Sequence, residues 1–539
     1  MFNNKEKEIK LNRIISIKIF YIFIVLCLII RLILLQAYPS SIVSGEGENY
    51  QLESLSSINY KILDVNNKNL MSYNKKYIVV LDVKPFMLNN YEETLQDLMA
   101  LNFIMKTEDI DFNYSDIMKE YGKKYYAVSE ETYNKVNKLK NIKGIYTYIY
   151  KELDRKEAWK TNNFLSYIND ENIEKDSLDY EIYSYIGENE YPKLKFTLNE
   201  KSIYNKGEEN KYSNKNIKLT IDSDIEDKIR KILNKEEYSF LKNIGVVVSE
   251  ASTGKIRAMV QKDETIANVN LGIGDLGYEP GSTFKVLTEA VALDEGVITL
   301  DDKFNCVGNI CSKDGKPYGH GLLSVEDALK ISCNDIFAQV GQKIGYQDMM
   351  KYLDKMNFFK PVLGLKGENR TEASGVRPKE EDSMNNISIG QITLVTPLQM
   401  AGLYNTVANN GVYIKPSILE AIVDDDGNII EEFKENEVRV FSETAAKLAK
   451  ENMRKVIFEG SGYEAKVEGA NIGGKTGTAT GNNGTNHGWF AGFFEKEGNL
   501  YTIIVIAPDI GEKHPDGREL GGGNTGAPIF REIVNELIK

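Results

Sequence analysis

The segment Glu279-Pro280-Gly281-Ser282-Thr283-Phe284-Lys285 joins a Pro-Gly turn to a helical pattern whose apolar positions are Phe284, Leu287 and Val291. On a helix Ser282 and Lys285 lie at i and i+3, on one face, so the amine can reach the hydroxyl. A serine hydroxyl attacks poorly until a base takes its proton, and a desolvated lysine beside another cation can have a pKa low enough to be that base. The N-terminus of the helix adds backbone N–H groups and a positive dipole end where negative charge develops. The chemistry these residues suggest is nucleophilic attack by Ser282.

S-x-x-K alone is a weak signal, since it recurs at Ser72, Ser239 and Ser252. Of these only Ser282 combines a turn with the start of an apolar helix. A second element, Ser332-Cys333-Asn334, follows a short helical pattern, Val325 to Lys330. S-x-N also occurs at Ser57, Ser72 and Ser383, so its value lies in its position. The third element, Gly473-Gly474-Lys475-Thr476-Gly477-Thr478, contains the only K-T-G in the chain. Lys475 and Thr476 are suited to bind a carboxylate, and Gly477 would let a substrate backbone approach. S-x-x-K, S-x-N and K-T-G in that order form a highly specific constellation.

The elements that must position these groups are legible as patterns. Asn243 to Glu250 and Ile256 to Val260 read as strands joined by a Ser252-Thr253-Gly254 turn. Lys475 to Ala479, Trp489 to Phe494 and Tyr501 to Ala507 read as further strands at hairpin spacing. Helical patterns cover Ser282 to Asp294, Leu398 to Ala408 and Ala527 to Ile538. Strands, many helices, strands and a final helix predict an α+β fold, an antiparallel sheet covered by helices with edges from both ends of the domain. The texture changes near residue 216. Residues 39–216, rich in Tyr, Asn, Lys and Glu, show no chemical motif and predict a separate non-catalytic domain, whereas 217–539 carry the motifs.

Ahead of both lies an apolar run, residues 14–38, long enough as a helix to cross the hydrocarbon layer. Lys5, Lys7, Lys10 and Arg13 precede it, and no Lys or Arg occurs from Leu32 to Tyr60. The positive-inside rule then predicts a cytoplasmic stub, 1–13, an uncleaved anchor and an extracytoplasmic remainder.

With its motifs in order, the chain resembles the penicillin-binding proteins, specifically the class B, monofunctional transpeptidases, some of whose members serve sporulation. Leu219-Thr220-Ile221-Asp222 is similar to the family's entry into its transpeptidase domain. Ser388-Ile389-Gly390-Gln391 through Thr396-Pro397-Leu398-Gln399-Met400-Ala401 is similar to its helix lead-in, and His487-Gly488-Trp489-Phe490-Ala491-Gly492 to the strand after K-T-G. The stretch Asn59 to Leu70 departs from the family's R-G-x-I-x-D-R-x-G-x-x-L. The resemblance implies a penicillin-binding, serine β-lactamase-like transpeptidase domain on an extended N-terminal pedestal with a dimerisation-like fold. It implies that Ser282 attacks a D-Ala-D-Ala stem peptide, with Lys285 as base, Ser332 as proton relay and Asn334 holding Lys285 and the substrate amide. Lys475 and Thr476 would bind the terminal carboxylate, and the N–H groups of Ser282 and Thr478 the oxyanion. β-Lactams should acylate Ser282, and no cofactor is needed for catalysis. Because 39–216 is too short for a glycosyltransferase domain, glycan polymerisation is expected from a partner, a polytopic membrane polymerase.

Composition narrows the alternatives. The net charge of −13 argues against a nucleic-acid partner. Three histidines, none in a triad or H-E-x-x-H context, leave little room for histidine-based hydrolysis. Cys306, Cys311, His320 and Cys333 cluster between the first two motifs and form a tetrahedral zinc set in type and number. That metal would be structural, with Asp314 as a substitute ligand. A Cys306–Cys311 disulfide and unbonded thiols, with His320 in a turn, are the competing readings. Rival functions are a D,D-carboxypeptidase, a β-lactam-sensing receptor, a β-lactamase and an inert scaffold. The single apolar span counts against the receptor and the intact motifs against the scaffold.

Overall fold

The computed structural model describes residues 18–31, 50–168, 173–210, 212–274, 277–313, 316–367, 369–481, 485–511 and 513–539. Its centre is a five-stranded antiparallel sheet in the order Ile256–Gln261, Gly245–Glu250, Asn499–Ile510, Asn486–Lys496, Ile472–Thr480. The strands are Val-, Ile- and Phe-rich because helices cover both faces, and the edge strands come from the two ends of the motif-bearing region as expected. On one face, helices Ser223–Leu233 and Gly526–Leu537 bury Ile229, Leu233, Ile529, Phe530 and Ile533 against Val246, Val248, Val260 and Val505. Each such side chain contributes about 1.5–3 kcal/mol through its burial.

The other face packs against helix Pro397–Ala408, which is buried along its whole length. Thr396 and Gln399 form a capping box at its start, with Pro397 in the first turn. Asn405 faces the sheet and accepts hydrogen bonds from Ser249 (3.0 Å) and Thr502 (2.6 Å). Helix Glu443–Glu459 lies behind the K-T-G strand, so close that a Cβ on Gly473 would lie 3.1 Å from the Arg454 nitrogen.

The chain divides into two compact units whose segments interleave. The first comprises the described residues of Met1–Ser57 with Tyr73–Glu152 and Tyr191–Tyr212. It holds a sheet centred on Tyr73–Asp82 and another of Tyr50–Ser54, Lys193–Leu198 and Tyr204–Glu209, with a core that includes Val79, Leu81, Phe86, Leu98 and Leu101. The second comprises Ile58–Ser72, Leu153–Glu190 and Ser213–Lys539. A single boundary near 216 does not describe this division. Ile62–Leu63 pairs in parallel with Asn216–Leu219, the Asp64 carboxylate accepts from the Ser223 hydroxyl at 2.7 Å, and Arg370 binds Asp179 at 2.8 Å. These bonds draw 58–72 and 153–190 into the motif-bearing unit.

Of the apolar run 14–38, residues 18–31 form a helix with exposed side chains, and the remainder lies outside the described residues. No helix among the described residues is long and apolar enough to cross a membrane.

Candidate active site

Ser282 lies not on the first turn of an α-helix but on a 3₁₀ turn, Gly281–Phe284, from which the α-helix Lys285–Asp294 continues. Tertiary contacts impose the tighter turn. Gly281 donates to the Gly390 carbonyl (2.9 Å), and its φ of +54° places the position of a Cβ 2.5 Å from the Thr478 carbonyl oxygen, so only glycine fits. Upstream, the Trp489 indole donates to the Glu279 carbonyl (3.0 Å), and the Glu279 carboxylate accepts from the Ile392 N–H (2.9 Å). Downstream, the Tyr404 hydroxyl donates to the Thr283 carbonyl (2.9 Å). Ser282 itself is half-buried.

Lys285 and Lys475 are both fully buried and meet at Ser332. Lys285 Nζ donates to Asn334 Oδ1 (2.6 Å), the Ser332 carbonyl (2.7 Å) and Ser332 Oγ (3.3 Å). Lys475 Nζ donates to Ser332 Oγ (3.0 Å) and to the carbonyl (3.1 Å) and hydroxyl (3.4 Å) of Thr476. One hydroxyl thus joins the S-x-x-K lysine to the K-T-G lysine. Burial pushes the Lys285 pKa down to about 7, with the Cys333 and Cys311 sulfurs opposing the shift. Burial, and then the neighbouring Lys285, hold Lys475 well below the usual lysine range. Ser332 occupies the left-handed region, φ +61°, which aims its side chain at both amines.

On the K-T-G strand, Thr476 is buried and its hydroxyl lies 3.2 Å from that of Ser461, a neighbour that no sequence motif marks. Thr478 is exposed, and its hydroxyl accepts from the Gly522 N–H (3.2 Å). Gly477 also has a reason within the fold. A Cβ there would lie 2.7 Å from the Pro280 carbonyl oxygen and 2.9 Å from a Thr283 methyl, so the glycine admits the nucleophile turn.

Cys306, Cys311, His320 and Cys333 form a second cluster, their donor atoms all within 4.8 Å of one another. Cys306 Sγ lies 3.3 Å from His320 Nδ1, and Cys311 Sγ lies 3.6 Å from Cys333 Sγ. All three cysteines are free and buried, so the expected alternative of a Cys306–Cys311 disulfide does not describe this chain. Thiolates about 2.3 Å from a tetrahedral ion stand about 3.8 Å apart, close to the 3.6 Å between the Cys311 and Cys333 sulfurs. The Asp335 N–H donates to Cys311 Sγ (3.4 Å), and its carboxylate accepts from the N–H groups of Gly308 (2.7 Å), Asn309 (2.9 Å) and Ile310 (2.5 Å). Burial raises the Asp335 pKa, but these donors outweigh it and hold the group below the usual range. Asp335 carries no motif signature beyond its place after Asn334, and Asp314 lies outside the described residues.

Lys285, Ser332, Asn334 and Lys475 thus meet through hydrogen bonds, with Ser282 on the turn that leads into Lys285, and the match to known proteins falls on the unit that holds them. The model of the penicillin binding protein transpeptidase domain matches residues 244–535. The chain belongs to the penicillin-binding protein transpeptidase family. Among its relatives, penicillin-binding protein PbpB of Mycolicibacterium smegmatis is 29% identical over 360 residues, 60% of this chain and 54% of that protein. The chain spans about half the length of the curated relatives it matches. A peptidoglycan synthetase from Bifidobacterium adolescentis has a similar fold, with TM-score 0.63 and 18% identity over 91% of this chain and 96% of that one. So does penicillin-binding protein 3 of Mycobacterium tuberculosis, complexed with aztreonam, with TM-score 0.60 and 18% identity over 90% and 96%.

Proposed function

We propose that this chain is a peptidoglycan D,D-transpeptidase that works through an acyl-enzyme on Ser282. The observation that carries this reading is the Ser332 hydroxyl shared by two buried lysines beside the Ser282 turn. Lys285, with its pKa near 7, is neutral in a large fraction of molecules at physiological pH and takes the Ser282 proton. Ser282 Oγ attacks the carbonyl of the penultimate D-Ala, and the N–H groups of Ser282 and Thr478 receive the oxyanion. Ser332 passes a proton to the departing D-Ala amine, while Asn334 holds Lys285 and the substrate amide. Lys475 and Thr476 bind the terminal carboxylate; an incoming anion restores the charged form of Lys475 that burial disfavours. An amine from a second stem peptide then takes the acyl group. β-Lactams enter by the same route.

The residues of the Cys/His cluster fit a structural zinc ion, held by Cys306, Cys311, His320 and Cys333, which would fasten the 306–320 loop to the segment bearing Ser332 and Asn334. The basic N-terminal stretch and the apolar run support a single-pass anchor, 14–38, with the catalytic unit outside the cell and a membrane-embedded glycan polymerase as partner.

Intact-mass analysis after exposure to a fluorescent penicillin tests the activity. The adduct should map to Ser282, be absent in Ser282→Ala and persist for hours. Stem peptides with an acceptor amine should give cross-linked dimers. Release of D-Ala without cross-linking would identify a carboxypeptidase instead, and rapid loss of the label a β-lactamase. Metal analysis of protein prepared under reducing, chelator-free conditions should find one zinc per chain; its absence removes the metal assignment.

A further inference from the structure

Glu289 has no part in the roles above, yet it is fully buried on helix Lys285–Asp294, one turn beyond Lys285. An ionised carboxylate in that place is costly without a bonded cation. Its hydrogen-bond partner is a neutral amide: Asn452 of helix Glu443–Glu459 donates from Nδ2 to Glu289 Oε2 at 2.8 Å. The remaining oxygens of the two groups, Glu289 Oε1 and Asn452 Oδ1, are both buried and lack a donor. Two acceptors cannot satisfy each other, but a proton on Oε1 turns one into a donor, and the pair can then close a second hydrogen bond.

Burial favours the protonated form, and among the surrounding charges Glu326 adds to it. Helix Val325–Lys330 carries Glu326 and Lys330, helix Glu443–Glu459 carries Arg454 and Lys455, helix Asn334–Ile344 carries Asp335 and Lys343, and Lys285 lies one turn back. At the far end of Glu289's own helix, Tyr352 and Lys355 of helix Tyr346–Lys355 lie near Asp294. Lys330 and Lys455 are occupied with Glu326, and Asp335 with the 308–310 backbone. Burial, and then the like charge of Glu326, raise the Glu289 pKa to about 8.

We propose that Glu289 is a positioning residue for acylation: its protonated carboxyl, closed into a ring with the Asn452 amide, locks the helix that carries Lys285 to the helix that backs the K-T-G strand. The same interface reaches the Ser332-Cys333-Asn334 motif, because Lys455 and Glu459 of that helix pair with Glu326 and Lys330, just ahead of Ser332. Ionisation opens the ring and sets a second negative charge beside Glu326, loosening the register of all three motif carriers. The proposal rests on the reading of Ser282 as the acylated nucleophile.

The test compares wild type with Glu289→Gln, which keeps a donor and an acceptor but cannot ionise. Rate constants for acylation by a fluorescent penicillin are measured from pH 5.5 to 9.5, with thermal unfolding in the same buffers. Wild type should rise with Lys285 deprotonation and then fall on the alkaline side, to about one-tenth of its plateau at pH 9; E289Q should keep the rise and lose the fall. Glu289's contribution to stability should be complete below pH 4.5 and lost as the pH rises to about 8, a decline that E289Q lacks. Superimposable pH profiles for the two proteins overturn the proposal. Failure of wild type to label at any pH overturns the reading of Ser282 instead, and the unfolding curves still decide the state of Glu289.

Discussion

Ser332 is the residue whose removal separates catalysis from folding. Replacing it with alanine deletes the oxygen that accepts from Lys475 at 3.0 Å and Lys285 at 3.3 Å. Neither ammonium group is orphaned, since Lys285 keeps the Ser332 carbonyl and Asn334 Oδ1, and Lys475 keeps the Thr476 carbonyl. Global stability should therefore fall by no more than about 1–2 kcal/mol, the net worth of the two hydrogen bonds lost. Hydrogen bonds to charged groups contribute about 1.5–3 kcal/mol each, so if one is expressed fully in the transition state acylation slows by about 10- to 150-fold. Ser332→Gly is the informative control. It also lacks the hydroxyl, but at φ +61° it relieves the about 1–2 kcal/mol that a side chain costs in the left-handed region. Unfolding midpoints and second-order acylation rate constants for the three proteins should then diverge. S332G should be more stable than S332A by about 1–2 kcal/mol and equally slow. Acylation of S332A within threefold of wild type, or rates that follow stability across the series, would refute the relay.

Because the base must be neutral, acylation should increase with pH through a midpoint near 7, about tenfold per unit well below it, and Lys285→Arg, charged at every accessible pH, should be nearly inert in the same labelling assay. Gly477→Ala forces a methyl group against the Pro280 carbonyl and the Thr283 methyl; stability should fall by about 1–3 kcal/mol in chemical denaturation and acylation by more than about tenfold. Asp335→Ala leaves the Gly308, Asn309 and Ile310 N–H groups without their acceptor, a loss of about 3 kcal/mol or more, and should weaken zinc retention in a chelator competition. Wild-type stability in either variant would contradict the contact invoked.

Much of this site is legible in the sequence because its chemistry is tied to residue type and order. Apolar periodicity marked the helix after Ser282, the helix ahead of Ser332 and the strands beside Lys475, and hairpin spacing indicated the pairing of consecutive strands, but not that of Gly245–Glu250 with Asn499–Ile510. Long-range geometry was not legible. The 3₁₀ turn at Ser282 depends on the Gly390 and Thr478 carbonyls, far along the chain, so local helix signals misplace the start of the helix. The left-handed Ser332 and the buried Ser461 neighbour of Thr476 carry no periodic signature. The interleaved segment 58–72 was hidden because its parallel strand is two residues long, too short for alternation to register.

Residues 332–335 explain why a strained serine can persist between two buried amines. Ser332 and Asn334 turn toward Lys285, whereas Cys333 and Asp335 turn toward the 306–320 loop. Each face constrains the other: the loop's N–H groups and sulfurs hold the backbone of Cys333 and Asp335, which leaves Ser332 little freedom to relax from its positive φ. The cost of that conformation is thus offset outside the cleft, by contacts no substrate touches. It follows that changes in the Cys/His cluster should affect acylation through the orientation of Ser332, whose hydroxyl bonds both lysines, and should leave the Ser282 turn, anchored separately by Trp489, Ile392 and Gly390, in place.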